Sequence, residues 1–317
     1  MNKRNIKTIF KDTTCILKNT FLDFVDDRGL KLSASLSYYT IFSLAPLLLL
    51  LISLAGIFFG RKAVQGQVFN EINGLIGNQA AAQIQEIIKN MELSGKTSSA
   101  VIIGSIILII GATSVFVEIQ ESINMIWKVK AKPKRGWVKL LKDRLLSSSL
   151  IVGLSFLLIV TFMINGLLLT LNDWMKSYFP DVTILLFQII NIILGFAVIT
   201  TLFAVIFKVL PDAKISWKEV RFGAFFTACL FMLGRFLIGI YITRSNTGLA
   251  FGAAGSLIVI LVWVYYTAAI LYLGAEFTRV YAEFKGSKIE PADYAVVIEE
   301  HEKERDVVFI PPRDDIK

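Results

Sequence analysis

The sequence predicts an all-α, polytopic membrane bundle: six transmembrane helices with amphipathic helices lying at the bilayer surface. Three observations carry that expectation. Of the 317 residues, 55% are hydrophobic and only 18% are charged, and the mean hydropathy is +0.64; a soluble domain averages about 45–50% apolar and about 25% charged, so this chain is too poor in charge to keep a water-facing surface. The apolar residues arrive in long blocks separated by short polar segments. Six of those blocks reach the length of about 20 residues that a helix needs to cross hydrocarbon, and the cost of unpaired backbone groups there selects helices over strands.

The expected spans run from Ala34 to Phe59, Ser99 to Val117, Leu145 to Leu171, Val182 to Phe207, Phe222 to Ile242 and Ala253 to Ala275. Turn residues separate them, among them Gly60-Arg61-Lys62, Asn172-Asp173, Pro211-Asp212 and Ser245-Asn246-Thr247-Gly248. The chain therefore divides into an amphipathic N-terminal segment (1–33), a transmembrane domain (34–276) and a charged tail (277–317) expected to be partly disordered.

Lys and Arg set the orientation. The N-terminal segment, the second-to-third and fourth-to-fifth connections and the tail together hold 26 of them, while the opposite side holds six and Arg235 lies inside a span. Both termini are thus expected in the cytoplasm, with the first span acting as an uncleaved signal anchor. The net charge of +8 then reads as a basic inner face meeting anionic lipid head groups rather than as a nucleic-acid footprint.

Several chemistries are disfavoured at once. Cys15 and Cys229 make no disulfide framework, since one lies in a polar segment and the other deep in an apolar block. The lone His301, in the charged tail, removes the common zinc spacings and any histidine-based triad from the body of the chain. No metal, no cofactor and no catalytic residue are expected.

Outside the spans, Ile6, Ile9, Phe10, Ile16, Leu17, Phe21, Phe24 and Val25 recur at helical spacing with lysines opposite, as in an interfacial helix. Between the first two spans, Val68, Ile72, Leu75 and Ile76, then Ile84, Ile87 and Ile88, predict two short amphipathic helices that cap the outer ends of the spans. Ile119, Ile123, Ile126 and Trp127 carry an apolar stripe beyond the second span, with Glu118, Glu121, Ser122, Asn124 and Lys128 on the opposite face. Gly104 with Gly111, and Gly223 with Thr227, share helix faces and predict close packing. Pro46 predicts a kink in the first span.

With alternating direction fixed, Asn165, Gln188, Asn191 and Arg235 fall in the outer half of the membrane. A charge near the bilayer centre costs at least ~2.5 to 3.5 kcal/mol and normally faces a wet cavity or a partner. Arg235 with Asn165, Gln188 and Asn191 is therefore the candidate site for an anion; the competing reading has the arginine snorkelling to the surface and the amides bonding between helices. Toward the inner side, Tyr38, Tyr39 and Ser43 approach the level of Thr113, Ser114 and Glu118.

Five stretches carry a resemblance: Ser33-Ala34-Ser35-Leu36-Ser37-Tyr38-Tyr39-Thr40 running into Ser43-Leu44-Ala45-Pro46; Gln120-Glu121-Ser122-Ile123-Asn124-Met125-Ile126-Trp127; Arg144-Leu145-Leu146-Ser147; Leu210-Pro211-Asp212; and Gly252-Ala253-Ala254-Gly255-Ser256 through Trp263-Val264-Tyr265 to Leu273-Gly274-Ala275-Glu276. In this order, over roughly Phe24 to Lys285, the chain resembles the YihY/BrkB family of bacterial inner-membrane proteins, also labelled ribonuclease BN-like. The resemblance implies a six-span protein of the bacterial cytoplasmic membrane and carries over no catalytic or binding residue. A nuclease needs clustered metal-binding carboxylates or histidines, and Glu118 with Glu121 is the nearest approach to such a pair.

The residues favour a transporter or lipid-handling protein that exposes a polar cavity alternately to the Arg235 group and to the Tyr38, Tyr39 and Glu118 group. The alternatives are a membrane-bound ribonuclease holding RNA phosphates on the basic segment from Lys128 to Arg144, and a structural membrane protein that recruits partners through its tail. Reporter fusions test the frame of all three: a fusion at Lys317 is expected to report the cytoplasm and one near Arg244 the opposite side, and an extracytoplasmic Lys317 would reverse every depth assignment.

Overall fold

A computed structural model describes residues 6–76, 78–92, 98–132, 141, 145–157, 159–160, 164, 180–244 and 254–299. The chain opens with helix α1 (Ile6–Asp26), then α2 (Gly29–Phe59), α3 (Arg61–Ile76), α4 (Asn78–Glu92) and α5 (Ser98–Ile126). Strand β1 (Val129–Ala131) follows, then the apolar helix α6 (Leu145–Leu157) and α7 (Pro180–Val209). Strand β2 (Ala213–Lys214), α8 (Trp217–Arg244), α9 (Ala254–Phe284), β3 (Glu290–Pro291) and β4 (Ala295–Val297) complete it.

Among the described residues, five helices are long and apolar enough to cross a membrane, within α2, α5, α7, α8 and α9. The expected third span is represented by α6, and its continuation from 165 to Leu171 lies outside the described residues. The boundaries expected at 33/34 and 276/277 fall inside continuous helices, because α2 begins at Gly29 and α9 runs to Phe284. At 31 residues, α9 is about 46 Å long at 1.5 Å per residue, well beyond the ~30 Å hydrocarbon core. The expected tail also contains order, in β3 and β4.

The end of the bundle that carries α1 and the four strands is here called the near end. There β1 pairs antiparallel with β4, and β2 with β3, so the segment after α9 is stitched to the connections that follow α5 and α7. Helix α1 packs on α9 and turns into α2 through Arg28, which adopts a left-handed conformation (φ 56°). Gly29 lets the Phe24 ring pack onto that turn, since a Cβ there would stand 2.2 Å from it and force the ring to move. The exposed side of α1 presents Leu17, Phe21, Leu22 and Val25, as an interfacial helix should.

At the far end, α3 and α4 fold over α2 and α9, burying Val64, Val68, Ala80, Ile84 and Ile88 against Ile52, Ala55 and Ile260. The main core lies toward the near end. Its centre is the stripe Ile119, Ile123, Ile126 and Trp127, packed with Phe203, Phe207, Leu210 and Tyr272. Side chains at i, i+4 and i+7 share one helix face, so the apolar stripe read beyond the second span is the wall of this core. The opposite face is divided: Ser122 and Asn124 are buried, Glu118 and Lys128 half-buried and Glu121 exposed, while Gln120 beside them is also buried.

Close packing is built from small residues. Pro46 of α2 lies against Gly111 of α5, where a Cβ would be 3.0 Å from the proline ring. Helices α8 and α9 cross through a reciprocal pair: a Cβ on Gly223 would be 1.8 Å from Thr278 Oγ1, and one on Gly274 would be 1.9 Å from Thr227 Oγ1. Both threonine hydroxyls donate to the carbonyl four residues back, at 2.7 Å. Gly223→Ala is expected to destabilise the fold by about 1–3 kcal/mol, the usual penalty for overpacking. Adding Thr278→Ala should recover most of the loss, and thermal unfolding of the two variants measures it.

Candidate functional site

Helix α8 shows how the two ends of the bundle differ. In its near half, Val220, Ala224 and Ala228 are fully buried. Spacings of four, three and four residues carry one face from Ala224 through Ala228 and Phe231 to Arg235, yet Arg235 is exposed, as are Leu233, Phe236 and Leu237. Helix α7 changes in the same sense: Phe203, Phe207 and Leu210 are buried, whereas Ile189, Asn191, Ile192 and Ile193 are exposed.

The expected site residues are placed as follows. Arg235 and Asn191 lie exposed in the far halves of α8 and α7. Asn165 lies outside the described residues, as does the side chain of Gln188 on α7. Tyr38 and Tyr39 lie exposed on α2, with rings edge-on to each other at 5.7 Å and Tyr38 against Phe42 at 5.1 Å. Glu118 is half-buried on α5. Among the described residues, no group of three or more His, Cys, Asp and Glu side chains is placed to hold a metal ion.

The most organised polar chemistry sits instead at the near end, on residues the sequence displayed without showing their partners. Asp212, 1% exposed, ends the Leu210-Pro211-Asp212 turn. One of its carboxylate oxygens accepts from Gln120 Nε2 at 3.2 Å and from the Tyr294 hydroxyl at 2.9 Å; the other accepts from Asn124 Nδ2 at 2.8 Å. Its backbone N–H donates to Asn124 Oδ1 at 2.8 Å, and its carbonyl accepts from the Ala292 N–H at 2.9 Å. This one residue joins α5, the α7–α8 connection and the segment after α9.

A second joint lies beside it. Trp127 Nε1 donates to the Ala275 carbonyl at 3.1 Å. The next residue on α9, Glu276, is fully buried and ion-paired with Arg279 at 3.0 Å. Arg279 also reaches Asp23 at 2.9 Å and Asp27 at 3.6 Å, and Lys128 pairs with Asp27. Helix α8 is fastened by its own start: Ser216 accepts from the Lys218 N–H at 3.3 Å in a capping arrangement, and Ser287 donates to Glu219 at 2.8 Å. At the surface, Lys214 pairs with Asp293, whose hydrogen bond and charge raise the lysine above its ordinary value.

Long apolar helices, small-residue crossings and buried polar joints at one end define an integral, multi-pass helical membrane protein. The chain belongs to the virulence factor BrkB family, whose model matches residues 20–296. It is 27% identical to a UPF0761 membrane protein of Psychrobacter sp. (strain PRwf-1) over 92% of this chain and 53% of that one, so it spans about half the length of that relative. It is also 27% identical to a UPF0761 membrane protein of Aliivibrio fischeri (strain ATCC 700601 / ES114), covering 83% of this chain and 81% of the other. A third, from Pseudoalteromonas atlantica (strain T6c / ATCC BAA-1087), is 24% identical over 85% and 87%. No solved structure matches the chain.

The Asp212 joint makes a specific forecast. A hydrogen bond to a charged acceptor is worth about 1.5–3 kcal/mol, so Tyr294→Phe should lower unfolding stability by that order. In an Asp212→Asn background the same change should cost clearly less, because the two partners share one interaction. A double-mutant cycle read by thermal or denaturant unfolding tests the coupling, and simple additivity would contradict it.

Proposed function

We propose that this BrkB-family protein moves an anionic, amphipathic substrate, a lipid or a carboxylated solute, and that Arg235 meets its negative group on the outer side. The exposed charge of Arg235 on the stripe that is otherwise the buried face of α8 carries this reading. Arg235 lies thirteen residues beyond Phe222, or about 20 Å along the helix, and so past the middle of a ~30 Å core. An exposed guanidinium at that depth is costly against lipid tails and favourable against an anion. Asn191, exposed on the neighbouring α7, adds a neutral hydrogen-bonding group at similar depth.

The near end is then the cytoplasmic side of the inner membrane, from the distribution of Lys and Arg, and its polar joints hold the cytoplasmic ends of the helices together. The arrangement favours a non-enzymatic protein over a ribonuclease. Glu118 is only half-buried and Glu121, one turn on, is exposed, so neither carboxylate sits in the closed setting that tunes an acid and base pair for phosphodiester hydrolysis.

Vesicles containing the purified protein test the reading with two probes, a fluorescent anionic phospholipid and a fluorescent carboxylated solute, with a zwitterionic lipid as control. Wild type is expected to speed the transbilayer movement of one anionic probe and to leave added RNA uncut. Arg235→Met should insert and fold yet lose about 10-fold or more of that rate, the worth of one charge-assisted contact, while Arg235→Lys keeps part because the charge remains. Full activity in Arg235→Met would remove the anion site, and RNA cleavage abolished by Glu118→Gln would establish the enzyme instead.

A further inference from the structure

Five charged side chains meet where α1 docks on α9. Asp23 and Asp27 come from α1, Glu276 and Arg279 from α9, and Lys128 from the residue that follows the α5 turn. Three carboxylates therefore face two cations, and the centre of the group is dry: Glu276 is 0%, Asp27 11% and Arg279 12% exposed at the side chain. A buried net charge of one is expensive in such a setting.

The hydrogen-bond accounting locates the imbalance. Neither oxygen of Glu276 receives a hydrogen bond, nor does Asp27 Oδ2, and Arg279 Nε finds no acceptor. Glu276 Oε2, Asp23 Oδ2 and Asp27 Oδ2 converge on one nitrogen, Arg279 Nη2, at 3.0, 2.9 and 3.6 Å. Three carboxylates gathered on one nitrogen present more acceptors than it has donors to satisfy, and they repel. A single hydrogen between them removes the repulsion, supplies the missing donor to a buried oxygen and brings the group to neutrality.

We propose that Glu276 and Asp27 share one exchangeable proton, and that this proton site fastens the N-terminal helix α1 to the last membrane helix α9. The proton sits as O–H···O between the two side chains, with Arg279 and Lys128 balancing the one remaining charge of the pair and that of Asp23. Its release leaves one uncompensated negative charge at the α1–α9 contact, and α1 loosens from the bundle. The proton is thus a ligand of the docked state, linked to docking in both directions. The site goes beyond the transport reading, because it holds whether or not Arg235 meets an anion.

Infrared spectroscopy of the full chain in lipid nanodiscs tests the proton, and the native cysteines test the docking. Wild type at neutral pH should show a protonated-carboxyl absorption that disappears on raising the pH and is absent in both Glu276→Gln and Asp27→Asn. Cys15 on α1 and Cys229 on α8 are both exposed, so spin labels at the two report how α1 sits on the bundle. Their separation should lengthen in wild type over the same pH range in which the absorption is lost. In Glu276→Gln it should stay short throughout, since the amide supplies a permanent donor to Asp27. If Glu276→Gln fails to fold, Asp27→Asn reads the same absorption from the other partner. A wild type without the absorption, an absorption that survives in both variants, or a label separation that ignores pH while the absorption titrates would each overturn the proposal.

Discussion

The near end of this protein is organised around one obligation: a carboxylate cannot be taken out of water unless hydrogen-bond donors replace what water supplied. Asp212 is almost wholly buried, and its donors come from Gln120 and Asn124 on α5, 88 or more residues earlier, and from Tyr294, 82 residues later. Satisfying that single group brings three distant parts of the chain to one place. The register of β2 on β3 follows closely, because the Ala292 N–H that bonds the Asp212 carbonyl lies immediately after the paired Pro291. In a bilayer, where apolar side chains gain little by leaving lipid for protein, such polar contacts and close small-residue packing are what fix helix positions.

That division of labour separates the two halves of the molecule. Toward the near end, hydrogen bonds, ion pairs and the Gly223/Thr278 and Gly274/Thr227 crossings hold α5, α8 and α9 together. Toward the far end, Ile189, Ile192 and Ile193 of α7 are exposed, and on α8 Arg235 is exposed although Gly234 and Ile238 beside it are buried. Gly234 adds a local constraint beside Arg235, since the Tyr266 hydroxyl occupies the space where a Cβ would stand; α8 and α9 therefore touch at that level, leaving α8 room to vary only on its other sides.

Much of the fold was legible because hydrophobic length and helical period are properties of a local stretch of chain. The blocks that became α2, α5, α7, α8 and α9, the interfacial α1, and the α3 and α4 caps were readable on that ground. So was the Ile119 to Trp127 stripe. The polar partners were not, because pairing is a property of two segments at once. Asn124 looked like the solvent face of a helix running out of the membrane, and nothing local says that Asp212 will cover it. Glu276 ends an apolar block where a carboxylate is unremarkable, and Asp23 and Asp27 lie some 250 residues away in a segment whose visible pattern is an apolar face with lysines opposite. Conversely, Tyr38 and Tyr39 are polar residues within a span, the pattern of a cavity lining, but their rings are exposed on α2.

The two polar joints are mechanically one object, and the end of α5 is where they meet. Within five residues, Asn124 holds Asp212, Trp127 holds the Ala275 carbonyl and Lys128 pairs with Asp27. Lys128 closes the helix in the left-handed region (φ 55°), the conformation that ends many helices and usually falls to glycine. A side chain there costs about 1–2 kcal/mol, which the ion pair to Asp27 and the bond from the Ile298 N–H to the Lys128 carbonyl offset. Glycine would relieve the backbone but would remove one of the two cations that reach Asp27, leaving Arg279 alone against Asp23, Asp27 and Glu276. The residue that looks out of place in its turn is thus the one whose charge the neighbouring cluster needs, and the same turn delivers β1 to its partner strand β4.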